Sequence, residues 1–388
     1  MGGSLAGLSA AIFLQDAGIE AEVYERSRRP LEGRGAGIVL HPAVFRALGR
    51  RPAEISAQAV VLRYLDRDGT VASEQPCSYW FISYASLHRA LLDRFETARY
   101  HLGSEIAGFA QDGDTVEVQL AGGGTASADL LVCADGISSA ARQALLPEIE
   151  PRYAGYVGWR GTVAETELSE EAFATFNTAI TYCVVPNSHI LVYPIPSLDG
   201  SLDPGRRLIN WVWYRNVEEG PALDRLLTDR AGVRHPVSLG TGEVTDANTA
   251  ELVAAAEETL PPQLVELVSK SAEPFVQVVF DIGVPSMVFG RIALIGDAAF
   301  ALRPHVAAGT AKATEDAWTL ARAIAAAGDD LPGALETWER GQLELGRAAT
   351  KRARDAGERS QFDNSWKVGD PLPFGLYESG DSLLAVNA

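Results

Sequence analysis

Two stretches of the chain hold residue types whose spacing suits a ligand carrying phosphate, sugar and a flat ring. Gly2-Gly-Ser-Leu-Ala-Gly7 runs straight into a helical pattern, Leu8 to Ala17, ended by Gly18. Ala21-Glu-Val-Tyr-Glu25 then reads as a short strand finishing on an acid. Glycines in such a turn let the backbone close on a pyrophosphate at the helix N-terminus, and an acid about 20 residues on takes ribose hydroxyls. Ser4 stands where the second glycine of the usual pattern would be. In the other stretch, Arg291-Ile-Ala-Leu-Ile-Gly-Asp-Ala-Ala-Phe300, a buried strand stops at Gly296-Asp297. The chain continues through Ala-Leu-Arg-Pro-His-Val-Ala-Ala-Gly-Thr310 into a helix over residues 311–327. Asp297 can accept hydrogen bonds from sugar hydroxyls, and the free amides at Gly309 and Thr310 can face an anion or a carbonyl-rich ring. An ordinary strand–turn–helix with an Asp cap would leave the same pattern.

The elements that must position these residues alternate between helix and strand. The turn at Gly2 normally follows a strand, yet only Met1 precedes it; that strand would lie in the middle of its sheet. The expectation is a natural chain that starts earlier, with Met1 inside or at the end of the first strand. Arg34-Gly-Ala-Gly-Ile-Val-Leu-His-Pro42 reads either as a close approach of backbone to a flat ring or as a plain tight turn. Strands follow at Val60–Leu65 and Trp80–Ser83, then a Ser-capped amphipathic helix from Ser86 to Phe95. Arg89 near its start either meets a phosphate or is a solvated surface arginine. Asp129 to Asp135 is a buried strand, closed by Gly136 and a short helix with Ser139 and Arg142.

From Tyr153 to about Phe280 the texture changes to aromatic, β-branched strands: Gly158–Thr162, Ala179–Val185, His189–Ile195 and Arg207–Tyr214. Their alternation predicts a mostly antiparallel sheet with one packed face and one exposed or cavity-lining face. Helices are expected near Ala222–Ala231 and Thr249–Ser269, and a long charged one from Leu331 to Phe362 that reads as a solvated face. The tail beyond Pro371 carries no signal.

Composition bounds the function. A chain of 388 residues holds two domains or one large one, and a net charge of −18 argues against nucleic acid or an anionic membrane as partner. No apolar run is long enough to span a bilayer, and no secretory signal is visible. Cys77, Cys133 and Cys183 lack paired metal-ligand spacing and read as reduced thiols of a cytoplasmic protein. No metal constellation and no nucleophile paired with a base is apparent in the sequence.

Taken together, Gly2-Gly-Ser-Leu-Ala-Gly-Leu with Glu25-Arg26, Asp135-Gly136 with Ser139 and Arg142, and Gly296-Asp297-Ala-Ala resemble the motifs of single-component flavoprotein aromatic hydroxylases. They occur in the family's order over nearly the whole chain. Ala299 to Lys312 and the Asn210-Trp-Val-Trp-Tyr-Arg215 strand are similar to its 2,6-dihydroxypyridine 3-monooxygenase-like branch. The resemblance implies an α/β fold: a Rossmann-type FAD-binding domain, its first strand missing, with a mostly antiparallel β-sheet substrate domain. Residues 1–57, 86–154 and 281–388 would form the first and 58–85 and 155–280 the second. It implies that Gly3, Ser4, Leu5 and Gly7 meet the FAD pyrophosphate, Glu25 the adenosine ribose and Arg26 the adenine. Gly37 and Arg89 would also reach the cofactor, Asp297 the ribityl chain, and Gly309 and Thr310 the flavin pyrimidine. Asp135 and Arg142 would serve FAD and NAD(P)H jointly, and Pro304 would pass the reactive flavin edge.

The implied reaction has NADH or NADPH reduce FAD, O2 add to give a C4a-hydroperoxide, and a small electron-rich aromatic substrate take the oxygen. His305, His41 and Tyr214 are the candidates for a base that ionises a ring hydroxyl; such residues more often pack than catalyse. A homodimer is left open. The rival readings are a flavin-dependent halogenase, whose family pairs Trp-x-Trp with a following Ile-Pro where Trp211-Val-Trp213 here precedes Tyr214-Arg215, and a degenerate, non-catalytic flavoprotein.

Overall fold

The computed structural model describes residues 1–31 and 37–377, so the Arg34 to Ala36 part of the glycine-rich passage lies outside it. Helix Leu5–Asp16 packs against helix Gly309–Ala327, two elements nearly three hundred residues apart that share a core with Leu8, Ile12, Ala317 and Leu320. Beneath them lie two parallel strand pairs, Val23–Glu25 with Tyr100–Leu102 and Leu131–Cys133 with Ile292–Leu294. Met1 and Gly2 sit between the pairs. The Gly2 amide donates to the Tyr24 carbonyl at 2.9 Å, the Met1 amino group to the Val132 carbonyl at 2.8 Å, and the Ala134 amide to the Met1 carbonyl at 2.8 Å. A separate antiparallel sheet, Ile106–Asp112, Thr115–Leu120 and Thr125–Ala128, flanks this layer.

The large sheet holds nine strands among the described residues. Its centre runs from Phe275–Asp281 through Arg152–Ala164, Leu208–Asn216, Ser188–Ile195 and Ala179–Val185 to Ala57–Leu65, and every pairing is antiparallel except the last. The sheet also takes in Gly37–Val39 and Arg152–Tyr153, which the expected division gave to the cofactor unit. Because side chains alternate along a strand, Trp211 and Trp213 go to one face, with Val212 and Tyr214 on the other. The tryptophan face is closed by helices Pro221–Leu226, Asp246–Thr259 and Pro262–Lys270. Sequence predicted one helix over 249–269. Two form because Pro262 disfavours helical geometry at Pro261 and each proline removes an amide donor; Leu260 is already extended, with φ −103° and ψ 156°.

The helix Leu331–Gln361 is not a solvated face. Leu335, Trp338, Gln342, Leu345, Ala349 and Ala353 recur at helical spacing and are all buried, while the charges occupy the other side. Two of its glycines set how closely it lies. A Cβ on Gly346 would stand 2.6 Å from the Phe300 ring, and one on Gly357 2.8 Å from the Tyr156 hydroxyl. The tail then folds back: the Gly375 amide donates to the Val306 carbonyl, and Phe374 and Leu376 are buried. Among the described residues no helix is long and apolar enough to cross a membrane.

The seating of this helix generates a test whose sign depends on position. Gly341 on the same helix has nothing within 4 Å of an added Cβ. Gly341→Ala should raise stability by ~0.5–1 kcal/mol, as removing a mid-helix glycine does. Gly346→Ala should instead lower it by ~1–3 kcal/mol through overpacking against Phe300. Thermal melts of both variants decide it; a rise for Gly346→Ala would mean the helix is not seated on that ring.

Candidate active site

The glycine turn at the chain's start is built by sterics. Gly2 has φ +94°, and a Cβ on Gly7 would stand 1.9 Å from the Gly2 carbonyl oxygen, so neither position accepts a side chain without rearrangement. The Gly3 amide donates to Glu25 Oε2 at 2.8 Å, and Ser27 donates to Oε1 at 2.8 Å. The Gly3 carbonyl accepts from Tyr100 Oη at 2.8 Å and pairs with His88 Nε2 at 3.0 Å. Ser4 precedes the helix Leu5–Asp16 but does not cap it, because its hydroxyl pairs with Tyr84 Oη at 2.7 Å. With no side-chain cap and no acid in the first turn, this helix end suits an anion. Arg26 and Arg89 are exposed and do not line the cavity described below.

The Gly296–Ala298 turn is fastened from below. Gly296 has φ +58°, and its amide donates to Asp316 Oδ2 at 3.0 Å; Lys312 pairs with the same carboxylate. Arg142 donates to the carbonyls of Ala298 at 3.0 Å and Ile137 at 2.6 Å. Its guanidinium is thus a clamp beneath the turn. Asp135 faces away from the cavity: it accepts from Ser139 Oγ at 2.6 Å and the Ala141 amide at 3.2 Å, bracing the helix Ala140–Leu145. Asp297 opens onto the cavity. Its surface is accessible there, but protein surrounds it at depth, and that burial pushes its carboxyl up to about 6 against the opposing charge of Arg142.

The helix Gly309–Ala327 also begins without a side-chain cap. Ala307 before it adopts φ +51° and is held by His41, whose Nε2 donates to the Ala307 carbonyl at 2.6 Å. Burial lowers His41 to about 4, and the ring does not line the cavity, so it anchors a loop and is misplaced for a substrate base. Gly37 makes a close approach, but to protein: a Cβ there would stand 2.4 Å from the Tyr193 ring. Its amide donates to Asn210 Oδ1 and its carbonyl accepts from Tyr193 Oη.

A cavity of about 490 Å³ joins these parts. It runs from Ser4, Leu5 and Ala6 past Asp297 to Gly309 and Thr310, then onto the sheet face at Arg160, His189, Tyr193 and Tyr214. Pro304 and His305 form its rim. His305 Nε2 pairs with Tyr156 Oη at 2.8 Å, and its ring lies 4.8 Å from that of Tyr214 and 5.2 Å from that of His189. Burial, with the nearby Arg303 charge, draws His305 down to about 3, while burial lifts Tyr214 to about 12. Arg303 is itself held by Asp281 and Glu358, each at 2.9 Å. His189 Nδ1 pairs with Ser360 Oγ at 2.6 Å, and burial holds that imidazole well below its ordinary range.

Sequence reasoning missed Arg160, His189, Tyr156 and the closing segment around Trp366 and Phe374, all of which lie at or beside the cavity. Alternation from Tyr214 would have found Val212 and Asn210; the partner strands' contributions depend on register. Trp211 and Trp213 point away from the cavity, donating to Ser271 Oγ and Ser188 Oγ. The residues present fit a flavin dinucleotide. Two uncapped helix N-termini, a glycine cradle and a carboxylate line one continuous cavity.

Known proteins agree with this geometry. A family model described as FAD binding domain-like matches residues 153–281. The chain is 38% identical to 2,6-dihydroxypyridine 3-monooxygenase of Paenarthrobacter nicotinovorans, with 100% of this chain and 98% of that one aligned. It is 27% identical to FAD-dependent urate hydroxylase of Klebsiella pneumoniae, covering 94% and 92%. The solved 2,6-dihydroxypyridine-3-hydroxylase from Arthrobacter nicotinovorans superposes with a TM-score of 0.91 over 96% of this chain and 95% of that one. Klebsiella pneumoniae HpxO complexed with FAD and uric acid, 25% identical, gives 0.77 over 94% and 88%. With an identity of 38% sustained over its whole length, the chain belongs to the FAD-dependent aromatic hydroxylases, a family of flavoprotein monooxygenases.

Proposed function

We propose that the cavity holds FAD along the wall made by the two helix N-termini and Asp297. The aromatic sheet face then receives a small electron-rich ring, a hydroxylated pyridine or a phenol, which the enzyme hydroxylates. One observation carries this reading: a single cavity connects the Ser4 turn to His189, Tyr214 and His305. The 2,6-dihydroxypyridine named for the 38% identical relative supports the class of ring. Bound FAD, once reduced by NADH or NADPH, would activate O2, one atom of which goes to the ring and the other to water.

The protein's own groups bind, orient and exclude water. Gly3, Ser4, Leu5 and Gly7 offer the turn and the first helical amides to the pyrophosphate, beside a Glu25 already fixed by two amides. Asp297 accepts from the ribityl chain, and Gly309 and Thr310 present free amides to the pyrimidine edge. Pro304 and His305 shape the rim where ring and cofactor meet, and Tyr214 and the tail around Phe374 keep water out. His305 is neutral throughout the working pH range and tied to Tyr156, so it orients a ring hydroxyl by hydrogen bonding rather than by taking up a proton.

Purified protein should be yellow, and 2,6-dihydroxypyridine should stimulate its NADH or NADPH oxidation and yield a product heavier by one oxygen. Stimulation that produces only hydrogen peroxide with every hydroxypyridine and phenol tried would refute the hydroxylase reading for this ring class.

Asp297→Ala should weaken FAD retention by roughly 10- to 100-fold, the effect of losing a hydrogen bond to a charged acceptor. Full FAD content after dialysis would assign the ribityl contact elsewhere. The apoprotein gives a second readout. A carboxyl raised from 3.8 to about 6 makes the folded state bind more protons, so its stabilising effect is present below about 4 and is lost as pH rises through about 6. Relative to wild type, Asp297→Asn apoprotein should therefore gain melting temperature between pH 5 and 7.5.

His305→Ala should keep FAD yet uncouple, releasing hydrogen peroxide in place of product because the ring is poorly oriented. An ordinary imidazole would place a limb near ~6.5 in the pH profile. At about 3, His305 places none there. A limb near 6.5 that disappears in His305→Ala would show that the ring titrates and acts as the base.

A further inference from the structure

Arg160 is the charge in the cavity wall with nothing to balance it. It lies on the strand Arg152–Ala164 and lines the cavity, yet among the described residues it forms no hydrogen bond and no ion pair. Its Nε is buried and unpartnered. Other arginines here are satisfied: Arg303 by Asp281 and Glu358, Arg207 by Glu165, Arg142 by carbonyls, and the cavity-lining Arg359 by Asp370. A guanidinium stays charged at every working pH and offers a planar fork of donors that fits an oxyanion. Removing it from water without a partner is unfavourable, so an anion entering the cavity gains by meeting it.

The sheet register says where that anion would be. Arg160 is opposite Val212, which is opposite Leu191; one step along, Gly158, Tyr214 and His189 form the neighbouring row. Arg160 and His189 therefore share a face two strands and two residues apart, roughly 12 Å between backbones by the usual strand spacing and rise, with Val212 and Tyr214 as the floor between. One substituted ring spans that distance. The Arg160 charge already reaches this floor, since it opposes the burial that raises Tyr214 and Tyr193.

We infer that Arg160 forms an anion subsite that receives an ionised oxygen of the aromatic substrate, so that the ring binds as its oxyanion with its opposite side towards His189. The inference rests on the hydroxylase reading and deepens it. An oxygen held ionised also feeds electron density to the ring carbons ortho and para to it, the positions that hydroxylation needs enriched.

The test measures binding to the FAD-loaded protein through the perturbation of flavin absorbance. Two probe pairs are used: 2,6-dihydroxypyridine against 2,6-dimethoxypyridine, and benzoate against benzamide, each an ionisable ring beside a partner that cannot ionise. Wild type should bind at least one ionisable probe better than its neutral partner, by roughly 10- to 100-fold. Arg160→Gln should abolish that preference while leaving FAD content and the neutral partner's affinity unchanged, and Arg160→Lys should restore part of it. A preference confined to the first pair identifies a ring oxyanion as the ligand; one confined to the second identifies a ring carboxylate. Equal preference in wild type and Arg160→Gln, no ionisable probe bound by wild type, or loss of FAD from Arg160→Gln each overturns the subsite. Hydroxylation is scored separately. Product formed without any Arg160-dependent preference sinks the subsite and spares the function, and the preference without product does the reverse.

Discussion

The turn at Gly296–Ala298 depends on two buried cations, and the site depends on the turn. Arg142 holds it through the Ala298 carbonyl, and the Lys312–Asp316 pair holds it through the Gly296 amide. Buried charges contribute little when fully paired, but deleting one partner is expensive, ~3–5 kcal/mol, because the other is stranded. The consequence is rigidity. Asp297 projects from backbone fastened to the preceding loop through Ile137 and to the following helix through Asp316, so three segments distant in sequence share one geometry.

The large sheet supplies the other wall by the simplest periodicity in proteins. Alternation sends Trp211 and Trp213 into a helix-covered core and leaves Val212 and Tyr214 to face the cavity. The same strand is thus structural on one face and functional on the other. Long-range packing then closes the chamber. Gly357 lets the C-terminal helix approach the Arg303–His305 loop, and the tail places Phe374 and Trp366 against the aromatic face.

What was legible in the sequence was what is local. Gly2, Gly7 and Gly296 belong to short turns whose backbone leaves no room for a side chain, and spacing reveals such turns. The sheet's existence and its strands were legible for the same reason. Arg160 and His189 were not, because their role arises from cross-strand register, which no single strand encodes. The face of Leu331–Gln361 was hidden by its many charges, since the buried positions are mostly small, Gly and Ala among them. For His305 a sequence supplies only the ordinary imidazole pKa, and the surrounding protein supplies the desolvation that lowers it.

Desolvation leads to a general property of this chamber. His305 and His189 are held neutral by burial, and Tyr214 and Tyr156 are held protonated. Across the pH range in which such an enzyme works, these four groups form a fixed array of dipoles whose charge state does not change. Among the described residues Arg160 is the wall's unpaired charge, while Asp297 is opposed by Arg142. Among the described residues, the imidazoles that line the chamber are weak bases. Ionisation of the substrate is then a matter of stabilising the anion it forms, through one guanidinium in a low-dielectric wall where its field is strong.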